Sequence, residues 1–270
     1  MVDYEKAIGV FDSGIGGLTA MKELLKILPN EDIIYFGDTA RVPYGSHSPE
    51  TIRKFAQQDL TFLLSQNVKA VLIACGTVSS TAIDVLRSST TIPIIGVINA
   101  AASKAVLVSK NKRVAILATQ ATIHSHAYRD AIQKLDGDIL VVEKACPLFV
   151  PLIENGYSDR NNPVTRMVVE DYLKEIMPFE ADTVILGCTH YPLIKDIISD
   201  VLPGVEMVEA GKEAAIRLGT ILSNASLRNE SSQVGRRRYV VSEKTDSFKD
   251  TCEFFLGEHI AEAIEAVSLD

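Results

Sequence analysis

Ala70-Val71-Leu72-Ile73-Ala74-Cys75-Gly76-Thr77 and Thr183-Val184-Ile185-Leu186-Gly187-Cys188-Thr189-His190 are two settings of one pattern. Each begins with four residues of buried-strand character. A small residue and a cysteine follow, then hydroxyl groups and a new helical pattern. Strands that are apolar throughout, rather than alternating, fit a parallel sheet covered on both faces. A chain that repeats a thiol at the ends of two equivalent strands is suited to approach one substrate from two sides. In such a reaction one base removes a proton and another returns it to the opposite face.

The same rhythm extends outward from both cysteines. Ala7–Phe11, Asp32–Phe36, Ala70–Ala74 and Ile94–Val97 read as strands, with helical patterns at Leu18–Leu28, after Ser48-Pro49-Glu50, near Ser79 and near Ala100. It then restarts with strands at Val114–Leu117, Ile139–Val142, Thr183–Leu186 and Val205–Val208. Ile8-Gly9-Val10-Phe11-Asp12-Ser13 lines up with Val114-Ala115-Ile116-Leu117-Ala118-Thr119, as the cysteine stretches do with each other. The expected class is α/β, with two similar domains of mainly parallel sheets flanked by helices, related by a pseudo-twofold internal repeat. The first domain is expected over 1–98 plus 211–270, with a strand near Arg238–Ser242 joining its sheet. The second is expected over 99–210.

Composition narrows the partners. Of 270 residues, 47% are hydrophobic and 23% charged, which is ordinary for a globular protein. A net charge of −8 and a pI near 5.2 argue against a broad nucleic-acid groove. The basic run Arg236-Arg237-Arg238 reads as a solvated edge. No stretch approaches the roughly 20 apolar residues of a membrane span, and Met1–Val10 has no export-signal pattern. Four cysteines make no disulfide framework, so free thiols in a reducing cytoplasm are expected.

Ligands of open α/β sheets collect at the carboxyl ends of strands, and four polar segments fall there. Asp12-Ser13-Gly14-Ile15-Gly16-Gly17 runs into a helix, where free N–H groups suit a carboxylate, although a structural turn explains the glycines equally well. It is neither a Walker loop nor a dinucleotide fingerprint. Pro43-Tyr44-Gly45-Ser46 reads either as a plain turn before a capped helix or as a hydrogen-bonding loop. The other two segments are the cysteine loops. His190 stands two residues past Cys188 and is placed to assist it; Asp12 is the corresponding group for Cys75 from across the site.

Rival chemistries fit less well. Zinc on Cys75, Cys188 and His190 lacks a CxxC pair. A Cys–His hydrolase leaves the second thiol idle. A pyridoxal enzyme needs a lysine at a strand end, and none is there. No cofactor and no metal are expected. Cys146 and Cys252 read as packing residues, His124 and His126 as poor joint ligands, and His47 and His259 as surface residues.

Four motifs together resemble one family. They are Asp12-Ser13-Gly14-Ile15-Gly16-Gly17-Leu18, Asp38-Thr39-Ala40-Arg41-Val42-Pro43-Tyr44-Gly45, the run from Cys146 to Gly156, and Gly187-Cys188-Thr189-His190-Tyr191-Pro192-Leu193. They resemble glutamate racemase, of the aspartate/glutamate racemase superfamily, from Ile8 to about Ser242. The resemblance implies cofactor-independent interconversion of L- and D-glutamate, supplying D-glutamate for peptidoglycan. It also implies a homodimer with the active site in the cleft between the domains. The cytoplasmic location is expected from the missing export signal and the free thiols.

By that resemblance Cys75 takes the α-proton of D-glutamate and Cys188 that of L-glutamate, with Asp12 and His190 assisting. Ser13, Tyr44, Gly45, Thr77, Thr119 and Thr189 hold the substrate's carboxylates and ammonium, together with Pro43 and Gly76, and Glu154 stands behind His190. One position departs from the pattern. The family reads Cys-Asn-Thr where this chain reads Cys75-Gly76-Thr77. Losing a hydrogen bond to a charged group costs about 1.5–3 kcal/mol, yet activity is expected to survive. Aspartate racemase and a silent carboxylate-binding module are the competing readings.

Overall fold

The computed structural model describes residues 3–244, 248–260 and 263–269. The remaining positions of the expected segments 1–98 and 211–270 lie outside the described residues. The chain forms two parallel sheets. The first is built from β1 (Ile8–Asp12), β2 (Ile33–Gly37), β3 (Ala70–Ile73) and β4 (Ile94–Gly96). The second is built from β5 (Arg113–Ala118), β6 (Leu140–Ala145), β7 (Thr183–Leu186) and β8 (Glu206–Glu209). Between and after the strands run α1 (Leu18–Ile27), α2 (Pro49–Ser65), α3 (Gly76–Thr81), α4 (Ile83–Ser88), α5 (Val97–Val108), α6 (Gln120–His124), α7 (Ala127–Leu135), α8 (Phe149–Glu154), α9 (Pro163–Lys174), α10 (Lys195–Val201) and α11 (Ala210–Asn224). The chain then returns to the first sheet through β9 (Arg237–Val241), α12 (Phe248–Leu256) and β10 (Ile264–Ala266).

Strand order makes the repeat explicit. The first sheet runs β10-β9-β2-β1-β3-β4 and the second β6-β5-β7-β8, every pairing parallel. The four-strand block 2-1-3-4 thus recurs as 6-5-7-8. In each block the chain crosses from an outer strand to the far side of the first one. The crevice at that switch point lies between the carboxyl ends of β1 and β3, and of β5 and β7. Asp12 ends β1 with Ser13 next, and Cys75 follows β3; Thr119 follows β5 and Cys188 follows β7.

Burial explains the strands. β1, β2, β3 and β7 are buried along their whole length, as strands under helices on both faces must be. β6 is an edge strand and half exposed, so it continues through Glu143 and Lys144, where the apolar pattern has already stopped. α5 and α11 pack on each other and join the halves, α5 reaching β7 and β8, and α11 reaching β3 and β4. The expected helix at Ser48 forms, and the Ser48 hydroxyl caps it by accepting from Thr51 N–H.

Several boundaries move. The helix expected near Ser79 begins at Gly76, directly after Cys75. That expected near Ala100 begins at Val97, because Gly96 rather than Val97 ends the strand. After Cys188 the chain first makes a 3-10 turn over Tyr191–Ile194, since Pro192 has no N–H to give a longer helix there, and α10 follows. No described helix is long and apolar enough to cross a membrane.

Candidate active site

The two thiol loops face each other across the halves. They come close at Gly76, where a Cβ would lie 2.5 Å from the Gly187 carbonyl oxygen. Only a residue without a side chain accepts that contact. Below it, the Thr77 hydroxyl of one half lies 3.2 Å from the Thr119 hydroxyl of the other, and Thr119 lies 3.0 Å from Thr122. α1 reaches the same loop: the Thr19 hydroxyl donates to the Thr189 carbonyl at 2.7 Å and to the Gly16 carbonyl at 2.9 Å. Gly16 itself lies against Thr189 and the His190 ring, with no room for a Cβ.

Cys75 is buried at the start of α3, and its sulfur lies 3.3 Å from the Ser13 hydroxyl. Burial, with the Asp12 carboxylate nearby, pushes its thiol up to about 12, so it carries its proton at neutral pH. Asp12 is also buried, and burial raises its pKa against the pull of His190 and of three backbone N–H groups. Its Oδ2 accepts from Gly14 N–H at 3.2 Å and Gly17 N–H at 3.0 Å. Those two N–H groups of the glycine turn therefore serve the protein's own carboxylate. Oδ1 has no partner.

Cys188 has different company. Its Sγ lies 3.9 Å from His190 Nδ1, and His190 Nε2 donates to Glu154 Oε1 at 2.9 Å. Burial works against charging the imidazole, but the hydrogen bonds to Cys188 and Glu154 outweigh it and raise the pKa to about 10. At neutral pH His190 is a cation held between a sulfur and a carboxylate. Thr189 Oγ1 is 3.4 Å from the same Nδ1.

The Pro43–Gly45 turn lies at the cleft but presents itself differently from what its side chains promise. Pro43 follows a cis peptide bond. The Tyr44 ring is buried, and its hydroxyl is bonded to Asp38 and, at 3.0 Å, to Asp59. Arg41 joins both carboxylates, at 2.6 and 2.9 Å. What the turn holds out is backbone, at the first positions of the 3-10 helix Tyr44–Ser46, which contacts α6 of the other half.

Four residues near the thiols carry no motif signal: Thr19, Thr122, Tyr128 and Phe255. Phe255, on α12, stands edge-on to His190, with ring centroids 5.2 Å apart. Helical spacing of Phe248, Cys252, Phe255 and Leu256 gives away the helix, but nothing in the sequence ties it to His190. Cys146 and Cys252 are buried packing residues. His126 faces Glu143 at 2.8 Å and His259 faces Glu253 at 2.8 Å, both on the surface. Among the described residues no three His, Cys, Asp or Glu groups converge as metal ligands would.

This arrangement has close counterparts. Residues 8–218 match the family model for Asp/Glu/Hydantoin racemase. Glutamate racemase of Geobacter metallireducens is 41% identical over 98% of this chain and 97% of its own. The chain belongs to the glutamate racemase family. The glutamate racemase of Francisella tularensis, solved in complex with D-glutamate, superposes with a TM-score of 0.92 at 42% identity, covering 99% of each chain. A glutamate racemase isoform of Bacillus anthracis superposes at 0.94 with 34% identity, covering 98% of each. A Pyrococcus horikoshii aspartate racemase homologue, 18% identical with a TM-score of 0.60, shares the fold alone. The solved glutamate racemases thus share both sheets with this chain.

Proposed function

We propose that the protein interconverts L- and D-glutamate by two thiol bases, without a cofactor. The observation that carries this reading is the placement of Cys75 and Cys188 at equivalent strand ends of two repeated sheets, their loops in contact. Cys188 as thiolate takes the α-proton of L-glutamate, and the Cys75 thiol protonates the carbanion from the opposite face. The reverse reaction starts from the form this leaves, in which Cys75 is the thiolate that takes the α-proton of D-glutamate and Cys188 is the thiol that reprotonates the carbanion. Cys75 stores its proton with Asp12 and Ser13 beside it. Cys188 works with His190, which Glu154 holds in place. Asp12 Oδ1 accepts from the substrate ammonium. Ser13, Thr77, Thr119 and Thr189 offer hydroxyls and Pro43, Tyr44, Gly45 and Gly76 offer backbone to the two carboxylates.

An α-proton beside a carboxylate is very weakly acidic. The developing charge must meet donors already fixed in place and shielded from water. The close contact at Gly76 and Gly187 supplies the shielding once the halves meet. The halves divide as 1–98 plus 211–270 and 99–210, and the domains part to admit substrate. The enzyme is a cytoplasmic homodimer that supplies D-glutamate for peptidoglycan.

The test is exchange in D₂O. Each enantiomer of glutamate is incubated with the protein, and circular dichroism and α-deuteration are followed together. Deuterium is expected in the product enantiomer. Absence of exchange with glutamate and with aspartate overturns the racemase reading, and exchange with aspartate alone reassigns the substrate. The two enantiomers are equally stable, so kcat/KM stays equal in both directions for any variant. Cys75→Ser and Cys188→Ser are expected to impair the two directions unequally, and the difference shows in kcat and in the primary isotope effect.

A further inference from the structure

Two buried side-chain polar atoms among the described residues lack a hydrogen-bond partner: Asp12 Oδ1 and the Tyr128 hydroxyl. The first has a use in the reading above, facing a substrate ammonium. The second has none so far. Tyr128 lies in the first turn of α7 and is 1% exposed. Its ring edge lies so close to Gly187 that a Cβ there would meet Cε2 at 2.9 Å. Gly187 precedes Cys188 directly, and its own N–H is held by the Leu117 carbonyl at 2.8 Å. Ring and second-thiol turn are thus packed as one unit.

A buried phenol is ordinarily paired, because an unpaired O–H forfeits its bonds to water. Phenylalanine would fill the same space without that penalty. The titratable groups within electrostatic reach of Tyr128 are Cys188 and then Cys75. Burial first, and those sulfurs next, push its pKa up, so the hydroxyl stays a donor throughout the working range. We propose that Tyr128 is a positioning residue for Cys188, its buried O–H supplying a fixed dipole to the negative charge the second thiol carries between proton transfers. The inference rests on the two-thiol reading. The hydroxyl bonds neither sulfur at rest, and such catalytic contacts commonly tighten only when substrate is bound.

Tyr128→Phe in the full chain tests it. Fold by circular dichroism should be unchanged and the melting temperature equal or higher, since only an unpaired group is removed. kcat/KM should fall about tenfold, equally for both enantiomers, as expected for a lost donor to a charged group. The acidic limb of its pH profile should move to higher pH. Unchanged kcat/KM and pH profile would overturn the proposal, and so would a lowered melting temperature with the acidic limb in place, because the hydroxyl would then serve only the fold. Exchange by the wild type separates the two levels. If the wild type fails to exchange, the racemase reading falls; if it exchanges and the variant matches it, only the role of Tyr128 falls.

Discussion

Cys75 and His190 both hold protons at neutral pH, for opposite reasons. The thiol does so because burial and a neighbouring carboxylate disfavour its anion; the imidazole does so because a sulfur and a carboxylate favour its cation. Glu154 is the adjustable part, since its side chain is 44% exposed while its partner is enclosed. For His190 the folded pKa of about 10 lies above the ordinary 6.5. Its contribution to stability is therefore full below about pH 6.5 and is lost as pH rises towards 10. Glu154→Gln lowers the imidazole pKa. The variant should lose less melting temperature than the wild type between pH 6 and pH 9.5, and the alkaline limb of its kcat/KM profile should move to lower pH. Superimposable pH profiles would remove Glu154 from the proton circuit.

At the scale of elements, α1 and α3 both begin at the cleft and both touch the loop after β7. α1 does so through Thr19, with Gly16 in the turn just ahead of it, and α3 through Gly76 at its first residue. Cys75 supplies the extended residue before α3, so Gly76 is placed by the helix start and not by a flexible turn. Gly76→Asn restores the side chain the resemblance leads one to expect, but its Cβ meets the Gly187 backbone oxygen at 2.5 Å. The loops must part by several tenths of an ångström or more, and misplacing reacting groups on that scale costs up to about a hundredfold. A drop of about ten- to a hundredfold in kcat/KM is expected from steady-state kinetics. A gain would show that the Gly187 loop yields and that the amide is worth more than the fit.

At the scale of the whole molecule, one buried ion pair ties distant parts of the chain. Lys69 and Glu31, both essentially unexposed, form a salt bridge just ahead of β3 and β2. Lys69 Nζ also donates to the Tyr4 carbonyl at 2.6 Å, and Glu31 Oε1 accepts from Asn229 N–H at 2.8 Å. N-terminus, sheet and the connection from α11 to β9 thus meet at one charge pair, at the end of the sheet opposite the thiols. Removing one partner leaves a buried charge, which costs about 3–5 kcal/mol. Lys69→Met should lower stability in urea unfolding by that order, and Glu31→Leu with Lys69→Met should recover much of it. A double variant no better than the single would mean that the hydrogen bonds to Tyr4 and Asn229 matter more than the charges.

The sequence by itself determined strands β1 to β9, their parallel class, the repeat and the two thiols, because buried parallel strands are written as continuous apolar runs and a repeat is visible as one. β10, three residues at the edge of the first sheet, carries no such run and is not anticipated by the sequence. His190 beside Cys188 was legible from adjacency. The tertiary structure alone decided what lies across the cleft. That the Tyr44 hydroxyl is engaged by Asp38 and Asp59, that Gly76 touches Gly187, that Thr19 reaches Thr189 and that Phe255 abuts His190 are contacts between residues far apart in the chain. Local pattern carries burial and periodicity, which are properties of one segment. It carries no record of which buried face meets which, since that is settled only when the two sheets and the returning C-terminal elements pack together.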